Sequence, residues 1–106
     1  MYFIVVKFKT KPEYTEQWPE LVKGYTESTR AEPGNIFFEW SRSIEEPDTY
    51  VLVEAFTDDG AAPHVQSAHF QEGLDAMRPA IVETPKIVSR QVDGNGWDAM
   101  GELKMD

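Results

Sequence analysis

The chain has 106 residues, 19 acidic side chains against 10 basic ones, and a formal net charge of −9. That length suits one domain with a real core, and that charge argues against partners that demand a cationic surface, namely nucleic acid and anionic membrane. With no cysteine in the chain, a disulfide framework, a thiolate nucleophile and a thiolate metal site are all excluded.

Residues 2–9, YFIVVKFK, are β-branched and aromatic and predict a strand, with Tyr2, Ile4, Val6 and Phe8 on one face and Phe3 and Val5 on the other. This run is too short for a signal core or a membrane span, and a soluble cytoplasmic protein is expected. After Lys11-Pro12 the period changes. Tyr14, Trp18, Leu21, Val22 and Tyr25 form the apolar stripe of an amphipathic helix, with Thr15 as its expected N-cap and Pro19 in its first turn. EPGN at 32–35 ends that helix. Two strands follow at 36–43 and 49–57, joined by the short turn IEEPD, and so pair as an antiparallel hairpin.

DDGAAP opens a second helical region capped by Asp58 or Asp59. Phe70, Leu74 and Met77 give it a core face, and Pro79 marks its end. A fourth strand spans 85–92. The order β-α-β-β-α-β is that of a ferredoxin-like α+β fold, a four-stranded antiparallel sheet with its helices on one face. It assigns residues 1–92 to the domain and 93–106 to a C-terminal extension. Trp97, Met100 and Leu103 recur in that extension at three-residue steps, so it is expected to dock on the domain or on a partner subunit.

The strands are apolar on both sides: Ile4 and Val6 oppose Phe3 and Val5, Phe38 opposes Phe37, and Leu52 and Phe56 oppose Val51 and Val53. A sheet with one wet face should alternate apolar and polar residues. Two helices cover one face only, so the other predicts a symmetric homodimer packed sheet on sheet.

HVQSAHF, His64 to Phe70, holds both histidines of the chain. On one straight helix they would lie about 140° apart, five steps of about 100°, and could not share an ion as an i, i+4 pair does. A metal site would need a broken helix and carboxylates from elsewhere, and none is expected. Glu54 interrupts the third strand on the face of Tyr50, Leu52 and Phe56. An inward carboxylate needs a partner, which Arg42, Arg90 or a histidine could supply. Trp40, Tyr2, Phe70 and Met77 are candidate walls of a substrate pocket, each with core packing as its ordinary role.

Three segments taken together, EPGN with FEW at 32–40, YVLVEAF at 50–56 and H-x4-HF at 64–70, resemble the antibiotic biosynthesis monooxygenase family. The resemblance spans residues 2–92. It implies a dimeric α/β barrel of ferredoxin-like subunits, with a pocket between sheet and helices. It also implies oxidation of a small phenolic or quinol-like aromatic by O2 with no flavin, haem or metal. His64 matches a position that resembling oxygenases fill with His or Trp, which makes it the first candidate for base or hydrogen-bond donor, with His69 and Glu54 beside it. Neutral imidazole suits proton abstraction because its ordinary pKa lies near working pH. Isomerisation or simple binding of a small metabolite is the alternative on the same fold. Haem breakdown, a third activity of this fold, relies in its known members on a first-strand asparagine that YFIVVKFKTK lacks.

Overall fold

The computed structural model describes residues 1–106. Four strands, β1 (Tyr2–Lys9), β2 (Asn35–Arg42), β3 (Thr49–Phe56) and β4 (Lys86–Gln91), form one sheet in the order β2-β3-β1-β4. Every neighbouring pair is antiparallel. This is the predicted ferredoxin-like α+β fold. The helices α1 (Trp18–Leu21), α2 (Lys23–Arg30), α3 (Ala61–Val65) and α4 (Ala68–Met77) carry the connections.

The registers Val6↔Leu52 and Phe8↔Tyr50 set the inner face of the sheet. There Trp18, fully buried, packs its ring 5.4 Å from Phe8, 5.8 Å from Trp40 and stacked 5.9 Å from Tyr50. Phe70, Leu74 and Ile4 close over this cluster from its edge, and Met77 is buried within it. Shielding these large apolar side chains from water, at roughly 25 cal/mol per Å², is the main favourable contribution to folding.

Two expected caps are absent. Thr15 does not start a helix. It is buried in a turn, where its hydroxyl bonds the Asp48 carboxylate at 2.8 Å and shares a 2.6 Å contact with Thr10 Oγ1. The first helical segment is instead a 3-10 turn at Pro12–Tyr14, followed by α1 with Pro19 in its first turn. Nor do Asp58 and Asp59 cap α3, whose N-cap position is Gly60. Asp58 pairs with the amino group of Met1 at 3.1 Å and Asp59 accepts the Thr57 hydroxyl at 2.8 Å. For Thr15 and Asp58 a tertiary partner wins the side chain that local capping would have used, and for Asp59 a neighbour two residues back does.

The outer face carries Phe3, Val5, Phe37, Val51 and Val53, all half-buried, and Val88, which is exposed. The C-terminal extension meets this face through Trp97. Trp97 stacks on Phe37 at 5.0 Å, and its indole N–H donates to Glu39 at 3.2 Å. Met100, Leu103 and Met105 remain exposed. No helix is long and apolar enough to cross a membrane.

Candidate functional site

Two backbone devices build the site. The first is a close approach of two glycines. A Cβ on Gly34 would sit 2.5 Å from Gly60 Cα, and one on Gly60 would sit 2.7 Å from Gly34 Cα. The Thr57 N–H also donates to the Gly34 carbonyl at 2.8 Å. The turn carrying Glu32 is thereby clamped to the start of α3, which carries His64. The second device is a break in the helix. Ser67 is extended (ψ 153°), accepts the Phe70 N–H as the N-cap of α4, and donates its hydroxyl to the His64 carbonyl at 2.6 Å. The two histidines therefore sit on different helices.

The clamp and the break bring His64, His69 and Glu32 together. His64 is 3% exposed and stacks on Phe56 at 4.4 Å. Its Nδ1 lies 2.8 Å from Glu32 Oε2, and His69 Nε2 reaches the same oxygen at 2.5 Å. On its other side, His64 Nε2 is 3.2 Å from the Tyr25 hydroxyl and 3.9 Å from Glu54 Oε1. A continuous line thus runs from half-buried His69 through Glu32 and His64 to buried Tyr25 and Glu54. α4 comes close enough to α2 to hold Tyr25 because position 73 is glycine: a Cβ there would be 2.7 Å from the Tyr25 ring.

Glu54 is 5% exposed, and of its three candidate partners only the histidine is near. Arg42 pairs with Glu16 at 2.8 Å, and the Arg90 guanidinium donates to the Ser89 carbonyl. Burial first, and the nearby Glu32 carboxylate second, push the Glu54 carboxyl up to about 8. Burial also drives the Tyr25 phenol well above its ordinary range, with Glu54 and then Glu32 adding to it. At neutral pH the folded chain must therefore hold this carboxyl mainly protonated while the unfolded chain leaves it ionised, a difference that opposes folding. Glu54→Gln is accordingly expected to stabilise the fold by about 1–3 kcal/mol at neutral pH, read as a higher urea midpoint at unchanged slope. A lower midpoint would mean that the carboxylate is anchored.

The remaining candidates divide by location. Phe70 packs edge-on to His64 at 5.1 Å and belongs to the site. Tyr2, half-buried, lies opposite Phe56 in the register and so one strand from the histidine. Met77 is core. Trp40 lines a separate cleft of about 230 Å³ with Trp18, Val22 and Tyr50, and its indole N–H is taken by Thr26 Oγ1 at 2.8 Å. That cleft shares no residue with the one of about 580 Å³ that reaches Glu32 and His69 beside Pro33, Gly34, Gly60 and Ser67.

Glu32 and Tyr25 were not anticipated in these roles. Glu32 stands in the EPGN turn, where a carboxylate beside Pro-Gly reads as a solvated helix end, and Tyr25 belongs to an apolar stripe. The only signal for either was an unpaired histidine on a neighbouring element.

Residues 1–76 match the family model described as Antibiotic biosynthesis monooxygenase. The Bacillus subtilis (strain 168) protein named "Putative monooxygenase YcnE" is 31% identical over 83 residues, which cover 77% of this chain and 86% of that protein. A solved structure from Nitrosomonas europaea, named "Putative antibiotic biosynthesis monooxygenase", is 31% identical with a TM-score of 0.78, covering 87% of this chain and 98% of its own. A Methanosarcina mazei Go1 protein superposes with a TM-score of 0.79 over 87% of this chain and 92% of its own, at 22% identity, a likeness of fold.

Proposed function

Because the chain belongs to the antibiotic biosynthesis monooxygenase family, we propose that it oxidises a small phenolic or quinol-like aromatic with O2. The observation that carries this reading is a buried imidazole whose Nδ1 is held by one carboxylate while its Nε2 faces the Tyr25 phenol and the Glu54 carboxyl. A neutral His64 that donates Nδ1–H to Glu32 carries its lone pair on Nε2, where it accepts from the Tyr25 hydroxyl at 3.2 Å until a substrate hydroxyl takes that place.

The route to it is the uncovered part of the inner face. All of β4 is exposed, including Ile87 on the helix side of the sheet, and Ile4 and Phe70 beside it are only partly buried, so this reading brings a flat ring in over that edge. A substrate hydroxyl gives its proton to Nε2. The resulting phenolate is electron-rich at the para carbon, which forms a C–O bond to O2. The O–O bond then breaks, and the para hydrogen and the phenolic proton leave with the distal oxygen as water. A phenol with a free para C–H thus becomes a para-quinone. It loses four electrons, O2 gains four, and no further reductant is needed.

The test is O2 uptake by the purified chain against a panel of naphthols, quinols and anthrones in air. Stoichiometric quinone formation supports the reading, and no turnover above buffer across the panel removes it.

The same reading takes the chain to be a homodimer through the outer face, where Phe3, Val5, Phe37, Val53 and Val88 would bury the roughly 800 Å² per partner of a standard interface. A sedimentation coefficient of two subunits is expected, shifted toward one by Val53→Asp. A well-folded single subunit at micromolar concentration would refute the dimer.

A further inference from the structure

The helix break and the outside carboxylate are the two conditions under which HVQSAHF could hold an ion, and the fold supplies both. We infer that Glu32, His64 and His69 form a binding site for a divalent first-row transition ion, Zn²⁺ or a close relative. Their ligating atoms, one from each side chain, all lie within 4.8 Å of one another. The three come from the turn after α2, from α3 and from α4, and the Gly34–Gly60 clamp and the Ser67 cap fix these elements relative to each other.

Two imidazole nitrogens and one carboxylate oxygen suit Zn²⁺, Fe²⁺, Co²⁺ or Ni²⁺, whereas Ca²⁺ and Mg²⁺ prefer all-oxygen shells. With bonds of about 2.0–2.1 Å, tetrahedral ligands stand roughly 3.3 Å apart. The carboxylate oxygen stands 2.8 and 2.5 Å from the two nitrogens, which themselves lie within 4.8 Å of each other, so to admit an ion the half-buried His69 ring must close in on His64 and the carboxylate must retreat, each by on the order of 1 Å. It has room to do so, because Glu32 and His69 border the cleft of about 580 Å³, which also gives an ion its access and leaves the remaining coordination positions open.

The surroundings are those of a metal-bound histidine. When Nδ1 is the ligand, the hydrogen of His64 must sit on Nε2, where the Tyr25 oxygen at 3.2 Å and the Glu54 carboxyl at 3.9 Å can receive it. Such outer partners fix the tautomer and orient the ring.

A consequence follows that rests on the oxygenase reading above. The ion replaces the Nδ1 hydrogen and moves it to Nε2, so the nitrogen that accepts the substrate proton becomes a donor. Occupancy and proton abstraction at His64 are then mutually exclusive, and the ion regulates the site as an inhibitor.

The experiment uses the full chain without a polyhistidine tag, stripped of metal and titrated with Co²⁺ and with Zn²⁺. One equivalent is expected to bind, with visible Co²⁺ absorption and calorimetric heat. Because the chain has two histidines, its imidazole NMR spectrum holds two sets of signals, and Co²⁺ should broaden both together. Glu32→Gln and His69→Gln should each weaken binding at least as much as loss of an outer partner does, about 10–100-fold. Absence of stoichiometric binding would overturn the site. So would binding that survives both substitutions, or broadening of only one imidazole, since the ion would then sit elsewhere among the carboxylates. Should a variant fail to fold, the broadening in the unaltered chain decides alone. Zn²⁺ inhibition of O2 uptake tests the consequence. If the chain binds the ion but turns over no phenol, the metal site stands and the oxygenase reading falls.

Discussion

His64→Gln is expected to lower kcat/KM for the oxidisable phenol by about 10²–10⁴-fold, the usual contribution of a positioned general base. Glutamine approximates the reach of imidazole and can still donate to Glu32, so the network loses its proton acceptor before it loses its packing. The ring stacked on Phe56 at 4.4 Å is lost as well, and some stability goes with it. The two effects separate cleanly. Loss of packing lowers the urea midpoint and leaves the turnover of the folded fraction intact, whereas loss of the base lowers turnover with the midpoint nearly unchanged. Turnover equal to that of the parent chain would assign the proton to another group and end the case for His64.

Gly34→Ala is expected to destabilise the fold by about 2–3 kcal/mol, a large part of the total for a small domain. The new methyl would meet backbone, Gly60 Cα at 2.5 Å and then the Thr57 hydroxyl at 3.1 Å. A side-chain tip could swing away, but here two chain segments must part. Their separation would strain the Thr57 N–H bond to the Gly34 carbonyl and carry Glu32 away from both histidines, so turnover and ion binding should fall further than stability alone explains. Gly24→Ala is the matched comparison. It lies in α2 with nothing within 4 Å of its Cβ, and alanine there should stabilise by up to about 1 kcal/mol through helix propensity and a less mobile unfolded chain. Equal urea midpoints for the two variants would remove the clamp from this account.

Those two glycines show what can be read along the chain and what cannot. The strands are legible because side-chain direction alternates every residue: Tyr2, Ile4, Val6 and Phe8 could be assigned to one face from the string alone, and the register Val6↔Leu52, Phe8↔Tyr50 agrees. The core face of the second helical region was legible for the same reason, with Phe70, Leu74 and Met77 at helical spacing. Caps were less so, since Thr15 and Asp58 have distant partners, Asp48 and Met1, that no local pattern shows.

For the site, the types of residue were visible but their meeting was not. His64, His69 and Glu54 stood out as titratable groups among apolar ones, and the inward direction of Glu54 followed from strand parity. Glu32 looked like the solvated end of a helix, and it becomes the hub of the network only because Gly34 rests on Gly60. The amino-acid string by itself determined the element order, the faces and the absence of thiol chemistry, since these depend on local periodicity and composition. Only the tertiary structure decided that both histidines share one carboxylate oxygen. That depends on a helix break and a contact between backbones 26 residues apart in the chain, and contacts between distant segments leave no periodic trace in either segment.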